Sequence, residues 1–292
     1  MKRFVIALIF LPFLSCSQKE VKEDIEISIE TTELATNVHR LLVNNAVAVV
    51  AYVGADGILL VDAAYQQSGN ALKKELETLS SKPLKFIINT HIHGDHTGGN
   101  LVLGEGVDII AHENAKKYLS EEQTQGERII EAFPEYARPN ITFSDRLSIE
   151  FNGETIEMFH LPGGHTNGDI IIYFPKSNVL VVGDLLFANY FPYVDVGNGG
   201  NPFTYLKNID WIIQNFPNDA IIVGGHGPVY SMDEYRDYRK TLGLTIDKIK
   251  KHKANGMSQE DMKSDSILKE WENYGSFFIS EDRWIDTIYP YV

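Results

Sequence analysis

Residues 89–100 read NTHIHGDHTGGN and place three histidines and one aspartate within six positions. Three imidazoles this close repel one another when protonated, so the crowding needs an explanation. Chance exposure, a buried hydrogen-bonded network and a metal site are the candidates. A short apolar run, LKFIINT, leads directly into the motif, and Gly94 permits a sharp bend within it. The motif therefore predicts a fold in which the end of a buried strand delivers polar ligands to one point.

The spacing within the motif separates its side chains into two sets. If the strand stays extended to its end, His91 and His93 project to the same side, because strand residues two apart do so. Asp95 and His96 then lie on the turn into a helix and face a neighbouring position. A site for two metal ions requires such a separation.

Three further residues occur in comparable settings, after predicted strands and among small residues that let ligands crowd around an ion. His165 lies in LPGGHTNGD, Asp184 in VVGDLLF and His226 in VGGHGP. Taken singly, each is better explained by a hydrogen-bonded loop or a helix cap than by a metal ligand. Together with the motif they give five histidines and two aspartates, a nitrogen and oxygen ligand set suited to two borderline cations.

The other histidines are interpreted as structural, and they are His39, His112, His160 and His252. His160 stands just before the LPGGH loop and could support a ligand. Asp62 closes GILLVD and could orient a ligand imidazole by accepting a hydrogen bond from its second ring nitrogen.

Composition limits the chemistry of such a site. Cys16 is the only cysteine among 292 residues, so a mature domain has no internal disulfide and no thiolate ligand to spare. The formal net charge of −14 repels phosphate backbones, and no basic stretch offsets it. We therefore expect a small-molecule substrate and no nucleic-acid partner.

The N-terminus predicts export. MKRFVIALIFLPFLSCSQKE has a basic start, an apolar run too short to span a membrane comfortably, and then small residues, which indicates a signal peptide over 1–16. FLSC resembles a bacterial lipobox, although Phe13 replaces the usual aliphatic residue; cleavage near Ser15–Ser17 without lipidation is the alternative. Residues 17–25 form a predicted polar tether. The expected location is the bacterial cell envelope, periplasmic or at the outer membrane, with membrane contact only through a lipid on Cys16.

The rest of the chain alternates strands and helices. The first half predicts an antiparallel meander from IEISIETT, VHRLLV, AVAVVAYV and GILLVD, followed by a helix that stops before Pro83. The second half predicts strands at RLSIEF, ETIEMFHLP, DIIIYFP, NVLVVGD and DAIIVGG, with a helix at FTYLKNIDWIIQNF. Residues 231–292 are helical and charged and predict a C-terminal cap packed on the core. Two strand-rich halves with helices between them favour an α/β sandwich with the helices outside.

At this point the residues resemble the metallo-β-lactamase superfamily. HIHGDH matches its H-x-H-x-D-H signature, and GHT, GD and GGHG follow in the family's order, so the resemblance covers about residues 26–230. It implies an αββα sandwich of the metallo-β-lactamase type, here with a C-terminal helical extension. By this resemblance a first metal would be bound by His91, His93 and His165, a second by Asp95, His96 and His226, and Asp184 would bridge them.

The resemblance also bears on subclass. A bridging aspartate is shared with the glyoxalase II-like and lactonase-like branches. The B1 β-lactamases have a cysteine ligand that this mature chain lacks, and the B3 enzymes typically lack the bridging aspartate. Asp184 therefore shifts the expectation away from a dedicated β-lactamase without excluding weak β-lactam cleavage.

The implied mechanism uses two Zn²⁺ ions, with iron or manganese as alternatives. Zinc lowers the pKa of bound water to about 7, which provides a hydroxide nucleophile for an ester, lactone, thioester or amide carbonyl. The cations also stabilise the developing oxyanion. Asp95 is expected to orient the hydroxide and to pass a proton to the leaving group.

The loop at residues 187–203, FANYFPYVDVGNGGNPF, is aromatic and has no lysine or arginine. In the family this region borders the substrate groove, so Tyr190, Phe191 and Tyr193 are candidate wall residues. Tyr193 or Asn198 could donate a hydrogen bond to an oxyanion. A packed loop beneath the C-terminal helices explains the same residues equally well. The lack of basic residues argues against a strongly anionic substrate such as a phosphodiester.

Two other functions are alternatives to the hydrolase. One is a mononuclear iron oxygenase similar to the persulfide dioxygenases, which would use fewer of these ligands. The other is a non-catalytic metal-binding lipoprotein, which would require an incomplete ligand set. Because all seven ligand positions are filled, the sequence favours a dinuclear zinc hydrolase.

Overall fold

A computed structural model describes residues 27–125 and 128–292. The expected signal peptide, Cys16 and the tether over 17–25 lie outside the described residues.

Fifteen strands are formed in the described part of the chain. They are β1 (Ile29–Ala35), β2 (Val38–Val43), β3 (Val47–Val53), β4 (Ile58–Val61), β5 (Leu84–Ile88), β6 (Asp108–His112), β7 (Gln123–Gln125), β8 (Arg128–Ile130), β9 (Ile141–Phe143), β10 (Arg146–Phe151), β11 (Glu154–His160), β12 (Ile170–Phe174), β13 (Val179–Phe187), β14 (Ile221–His226) and β15 (Tyr230–Ser231).

The helices lie between and after these strands. They are α1 (Gly69–Leu79), α2 (Gly94–Thr97), α3 (Asn100–Leu103), α4 (Glu113–Ser120), α5 (Pro202–Asn215), α6 (Met232–Ala254), α7 (Gln259–Ser264) and α8 (Glu281–Ile288). Short 3₁₀ turns occupy Gln66–Ser68, Glu135–Ala137, Val196–Asn198, Lys269–Gly275 and Tyr289–Tyr291.

The strands form two large sheets. The first has the order β1-β2-β3-β4-β5-β6-β9; its first four strands are the predicted antiparallel meander, and β4, β5, β6 and β9 run parallel to one another. The second has the order β10-β11-β12-β13-β14-β15 and is antiparallel except between β13 and β14. β7 and β8 pair as a separate hairpin.

The sheets stack face to face, and each buries both of its faces. All seven residues of β3 are buried. Its alternate side chains serve two cores: Val50 and Tyr52 pack between the sheets, whereas Val49 and Ala51 pack on the outer face. Burial on both faces explains why this strand reads as a continuous apolar run.

Helices cover the two outer faces. Leu72 and Leu76 of α1 pack on the first sheet. Residues of α5, α6 and α8, including Trp284, join Leu180 and Val182 of β13 in the core of the second sheet. The architecture is therefore the expected αββα sandwich, and the C-terminal helices belong to one of its cores. In the two described ranges, no helix has both the length and the apolar composition to cross a bilayer.

Candidate metal centre

Polar side chains from both sheets converge at one edge of the sandwich. β4 and β5 end there in the first sheet, and β13 and β14 end there in the second. Asp62 follows β4, and His91 and His93 follow β5. The carboxyl ends of neighbouring parallel strands meet at the same edge, which is where open α/β sheets place their ligands.

The backbone before His91 differs from the expectation. β5 ends at Ile88, so His91 and His93 lie on a bend and not on an extended strand end. Their rings nevertheless come together, with centroids 4.9 Å apart and planes almost perpendicular. The expected turn into a helix is formed by α2, which carries Asp95 and His96.

The other expected ligands arrive from the second sheet. His165 lies in the loop between β11 and β12, and His226 is the last residue of β14. The sequence suggested that Asp184 follows a strand, but it lies inside β13. It follows Gly183, whose φ of 52° marks an irregularity in the pairing of β13 with β14. Such an irregularity can redirect a strand side chain.

The donor atoms form two groups. In the first, His91, His93, His165 and Asp184 each present one atom, and these atoms lie within 4.8 Å of one another. The second contains Asp95, His96 and His226, and it meets the same limit.

Asp184 stands between the groups. Its Oδ2 is 3.3 Å from Nε2 of His165, whereas its Oδ1 is 3.2 Å from Nε2 of His96 and 3.5 Å from Nε2 of His226. Ligands of a tetrahedral zinc ion at about 2.05 Å lie roughly 3.3 Å apart. The carboxylate thus offers one oxygen to each group at a separation suited to shared coordination.

Three buried polar atoms in the cluster have no hydrogen-bond partner. They are Nε2 of His91, Nε2 of His96 and Oδ1 of Asp184. Leaving such atoms unpaired costs on the order of 1–3 kcal/mol each. Nε2 of His91 belongs to the first group and Nε2 of His96 to the second, and their nitrogen and oxygen chemistry is that of zinc ligands. The residues therefore fit a metal ion in each group.

The second nitrogen of every cluster imidazole is held by an acceptor. Nδ1 of His165 lies 2.7 Å from the Tyr193 carbonyl, and Nδ1 of His226 lies 2.8 Å from the Ala46 carbonyl. Nε2 of His93 lies 2.9 Å from Oδ2 of Asp195. Such contacts fix which nitrogen points inward and make it a better donor to a metal.

Asp62 holds the two remaining rings. Its Oδ2 is 2.8 Å from Nδ1 of His96 and also accepts a hydrogen bond from the Thr90 hydroxyl at 2.7 Å. That hydroxyl lies 3.0 Å from Nδ1 of His91. Asp62 was expected to orient one imidazole. In the structure it contacts His96 of the second group directly and His91 of the first group through the Thr90 hydroxyl.

Asp195 was missed by sequence reasoning. It is the only acidic residue in the 187–203 loop, which is the one local signal of its polar role. Besides His93, it accepts a hydrogen bond from Nδ2 of Asn198 at 2.7 Å.

Electrostatics divides the cluster into neutral and charged members. Burial lowers the pKa of His165 to about 4 and that of His91 well below its usual value. Burial acts in the same direction on His226, but Asp184 and Asp95 outweigh it and raise its pKa to about 9. Burial would raise the pKa of Asp184, yet the surrounding imidazoles, His96 first, hold it well below its usual range. The aspartates of the cluster therefore attract positive charge, as a cation site should.

One glycine is required by this crowding. A Cβ on Gly225 would lie 2.0 Å from Oδ1 of Asp184 and 2.8 Å from Cε1 of His96. The residue before His226 must therefore lack a side chain, which explains part of the GGHG sequence.

His112 and His160 lie outside the two donor groups. Nδ1 of His112 accepts a hydrogen bond from the backbone of Asn114 and caps α4. Its ring stacks on that of His160 with centroids 3.6 Å apart.

A groove of about 440 Å³ opens beside the donor groups. Its lining residues share an aromatic or apolar character, with a few carboxylates. They include Tyr65, Ile92, Asp95, Tyr118, Leu119, Glu121, Ile130, Glu131, Phe133, Phe187, Tyr193, Phe277 and Phe278. Tyr193, one of the candidate wall residues, is among them.

The two other candidate wall residues and the candidate donor Asn198 do not line the groove. Phe191 is buried, with its ring 5.5 Å from that of Trp284. The Tyr190 ring packs against that of Phe277, with centroids 4.8 Å apart. Nδ2 of Asn198 donates a hydrogen bond to Asp195. The 187–203 loop follows no regular periodicity, so its sequence does not reveal which aromatic rings turn inward. Phe277 and Phe278, which come from the C-terminal extension, were not identified from the sequence.

Comparison with known proteins agrees with this geometry. A family model of the metallo-beta-lactamase superfamily matches residues 40–243. A probable metallo-hydrolase of Bacillus subtilis (strain 168), YqgX, is 29% identical over 167 residues, which are 55% of this chain and 76% of that protein. A metallo-beta-lactamase type 2 of Bacteroides fragilis is 24% identical over 250 residues, 82% of this chain and 94% of that protein.

Solved structures show the same fold. A metallo-beta-lactamase from Pontibacter korlensis superposes with a TM-score of 0.60 at 20% identity, over 74% of this chain and 99% of that chain. The sec-alkylsulfatase Pisa1 from Pseudomonas sp. gives 0.68 at 14% identity, over 90% of this chain and 50% of that chain. Because the family model spans well over half of the sequence, the chain belongs to the metallo-beta-lactamase superfamily, whose members are metal-dependent hydrolases.

Proposed function

We propose that this protein is a dinuclear zinc hydrolase that cleaves an ester, lactone, thioester or amide of a small molecule. The observation that carries the proposal is the position of Asp184. Its two carboxylate oxygens face two complete donor groups, at 3.3 Å from His165 on one side and 3.2 Å from His96 on the other.

The residues that would hold the ions are those of the two groups, with Asp184 shared. Zinc bound there would activate a water molecule at neutral pH, and the zinc itself would polarise the carbonyl of the substrate. The five acceptors behind the imidazoles keep the donor atoms in place, so that little reorganisation is needed during turnover.

Asp95 is placed to handle protons. It lines the groove, and its Oδ2 lies 3.4 Å from Nε2 of His226. Burial would raise its pKa, but His96 and His226 outweigh burial and lower it. Asp95 is therefore a carboxylate at neutral pH. It can accept a proton from the attacking water and then hand that proton to the leaving group.

Two tyrosines can stabilise negative charge that develops on the substrate. Tyr65 and Tyr193 both line the groove. Burial raises the pKa of each, and Asp95 adds to the effect at Tyr65 as Asp195 does at Tyr193. Both hydroxyls are thus protonated at neutral pH and can donate hydrogen bonds to an oxyanion.

The test combines metal analysis with a hydrolysis panel on the full chain. We expect about two zinc ions per chain after purification without added metal, and turnover of at least one member of a panel of lactones, thioesters, esters, β-lactams and phosphodiesters. One iron per chain would instead support an oxygenase. Full metal loading with no hydrolysis across the panel would contradict the proposal.

A further inference from the structure

The C-terminal extension supplies one wall of the groove. In the 276–280 loop, between the 3₁₀ turn Lys269–Gly275 and α8, Phe277 and Phe278 are 43% and 53% exposed. Both line the groove. Two adjacent phenylalanines with this exposure leave apolar surface in contact with water. Contiguous apolar surface of this kind is uncommon outside interaction sites.

This exposure does not come from a loosely attached loop. Ile279 is only 2% exposed and belongs to the core of the second sheet. Nη1 of Arg283 donates a hydrogen bond to the Phe278 carbonyl at 3.0 Å, and the Ser280 hydroxyl caps α8. The loop is anchored on its inner side while the two phenyl rings are held over the groove.

The phenyl rings are continuous with the donor groups. The Phe277 ring lies 5.8 Å from that of His226, in the second group. The Phe278 ring lies 5.7 Å from that of Tyr193, which in turn lies 5.6 Å from His93 in the first group. A molecule in contact with these rings is therefore next to the point where bond cleavage is proposed.

The rest of the groove lining is largely apolar, with a few acidic residues. Tyr118, Phe133 and Ile130 line the groove together with the two phenylalanines. Its carboxylates include Glu121 and Glu131, and no lysine or arginine is among the described lining residues. The guanidinium of Arg283 lies 4.9 Å over the Phe278 ring but does not reach the groove. Apolar substrate groups gain from burial here, whereas an anionic group beside these rings would lie near Glu121 and Glu131 and would meet no lysine or arginine of the described lining residues.

We propose that the substrate carries a bulky, uncharged apolar acyl group beside its scissile carbonyl, and that Phe277 and Phe278 determine this specificity. This inference rests on the proposed function for the bond that is cleaved, but the binding preference of the groove can be measured without turnover.

The first experiment measures binding of the neutral fluorescent probe N-phenyl-1-naphthylamine to the full chain. Phe278→Ala should raise the Kd about tenfold, because part of a phenyl contact is lost. Phe277→Ala should act in the same direction, and Phe278→Leu should restore most of the affinity. Leu244→Ala, which removes an apolar side chain 48% exposed on α6, is the matched control and should leave the Kd unchanged.

The second experiment measures kcat/KM for acyl thioesters from acetyl to octanoyl. Each methylene should raise kcat/KM by up to about fourfold until the groove is filled. Succinyl should be at least tenfold poorer than 4-methylpentanoyl, which has a similar shape without the charge. Phe278→Ala should act mainly through KM and mainly on the longer chains.

The two results separate the inference from the proposed function. A probe Kd that is unchanged by Phe277→Ala and by Phe278→Ala overturns the inference, even if the enzyme hydrolyses short esters. Probe binding that depends on the two phenylalanines supports it, even if no member of the hydrolysis panel is cleaved and the proposed function fails. A flat dependence on chain length in an active enzyme also overturns it.

Discussion

Oδ2 of Asp62 lies 2.8 Å from Nδ1 of His96, and both side chains are buried. The same oxygen accepts the Thr90 hydroxyl that contacts His91, so one carboxylate positions an imidazole of each donor group. Asp62 has a φ of 62°, a conformation that asparagine tolerates better than most residues. Asp62→Asn therefore tests the carboxylate with little added backbone strain.

Asp62→Asn should weaken zinc binding by 10–100-fold, the usual effect of losing an acceptor behind a ligand histidine. The loss arises because asparagine keeps one acceptor oxygen, so its amide nitrogen must face either the Thr90 N–H or the ring and hydroxyl protons, and it can accept none of them. Chelator competition gives the affinity. Asp247→Asn, an exposed aspartate on α6, is the control. Unchanged affinity in Asp62→Asn would show that this network does not support the metal site.

Asp195→Asn should selectively weaken the first donor group, because Asp195 contacts His93 and no imidazole of the second group. We expect zinc titration to show one weakened and one unaltered site. Asn198→Ala removes only a hydrogen bond to Asp195 and should have a smaller effect. Equal weakening of both sites would argue against the separation into two groups.

Asp95→Ala should reduce kcat by about 10²–10⁴-fold, the range for loss of a proton-transfer group, and should also weaken the second metal. Activity must be measured at saturating zinc, with the zinc content of each sample recorded, so that the two losses are distinguished. Glu105→Ala changes an exposed acid outside the groove and serves as the control. Full activity in Asp95→Ala would contradict its assigned role.

Gly225→Ala should impair metal binding, because its Cβ would fall 2.0 Å from Oδ1 of Asp184. Gly94→Ala is a matched change close to the site, and its Cβ would meet nothing within 4 Å. Zinc content after dialysis compares the two. We expect Gly94→Ala to match the unmodified protein and Gly225→Ala to fall below it; the reverse order would contradict this packing.

Removal of zinc should lower thermal stability. A ligand at 1,000 times its Kd stabilises the folded state by about 4 kcal/mol, which corresponds to roughly 10 °C in a domain of this size. Thermal unfolding with and without chelator measures the shift. His91→Ala should show a smaller response to the chelator. A melting temperature that does not respond to chelator in either protein would indicate that no metal stabilises this fold.

The sequence predicted most strands because their signals are local. β3 and β13 are buried on both faces, and such strands read as unbroken apolar runs. The sequence also indicated which polar residues would meet. His165, Asp184 and His226 each stand among glycines near strand ends, and the structure brings all three to the motif at residues 91–96.

Other features depend on contacts between distant segments. Asp195 could not be matched to His93 from sequence, because 102 positions separate them. The 187–203 loop is irregular, so the inward rotation of Tyr193 and the burial of Phe191 follow from packing against other elements. Phe277 and Phe278 reach the groove only because Ile279 anchors their loop in the core of the second sheet.

By itself, then, the sequence determined the donor chemistry and the succession of most strands and helices along the chain, since residue type and periodicity are local properties. Only the tertiary structure decided which acceptor holds each imidazole and which aromatic rings form the groove. Those choices are fixed where side chains from two sheets and a C-terminal extension come within a few ångströms of one another, and no local pattern encodes such distances.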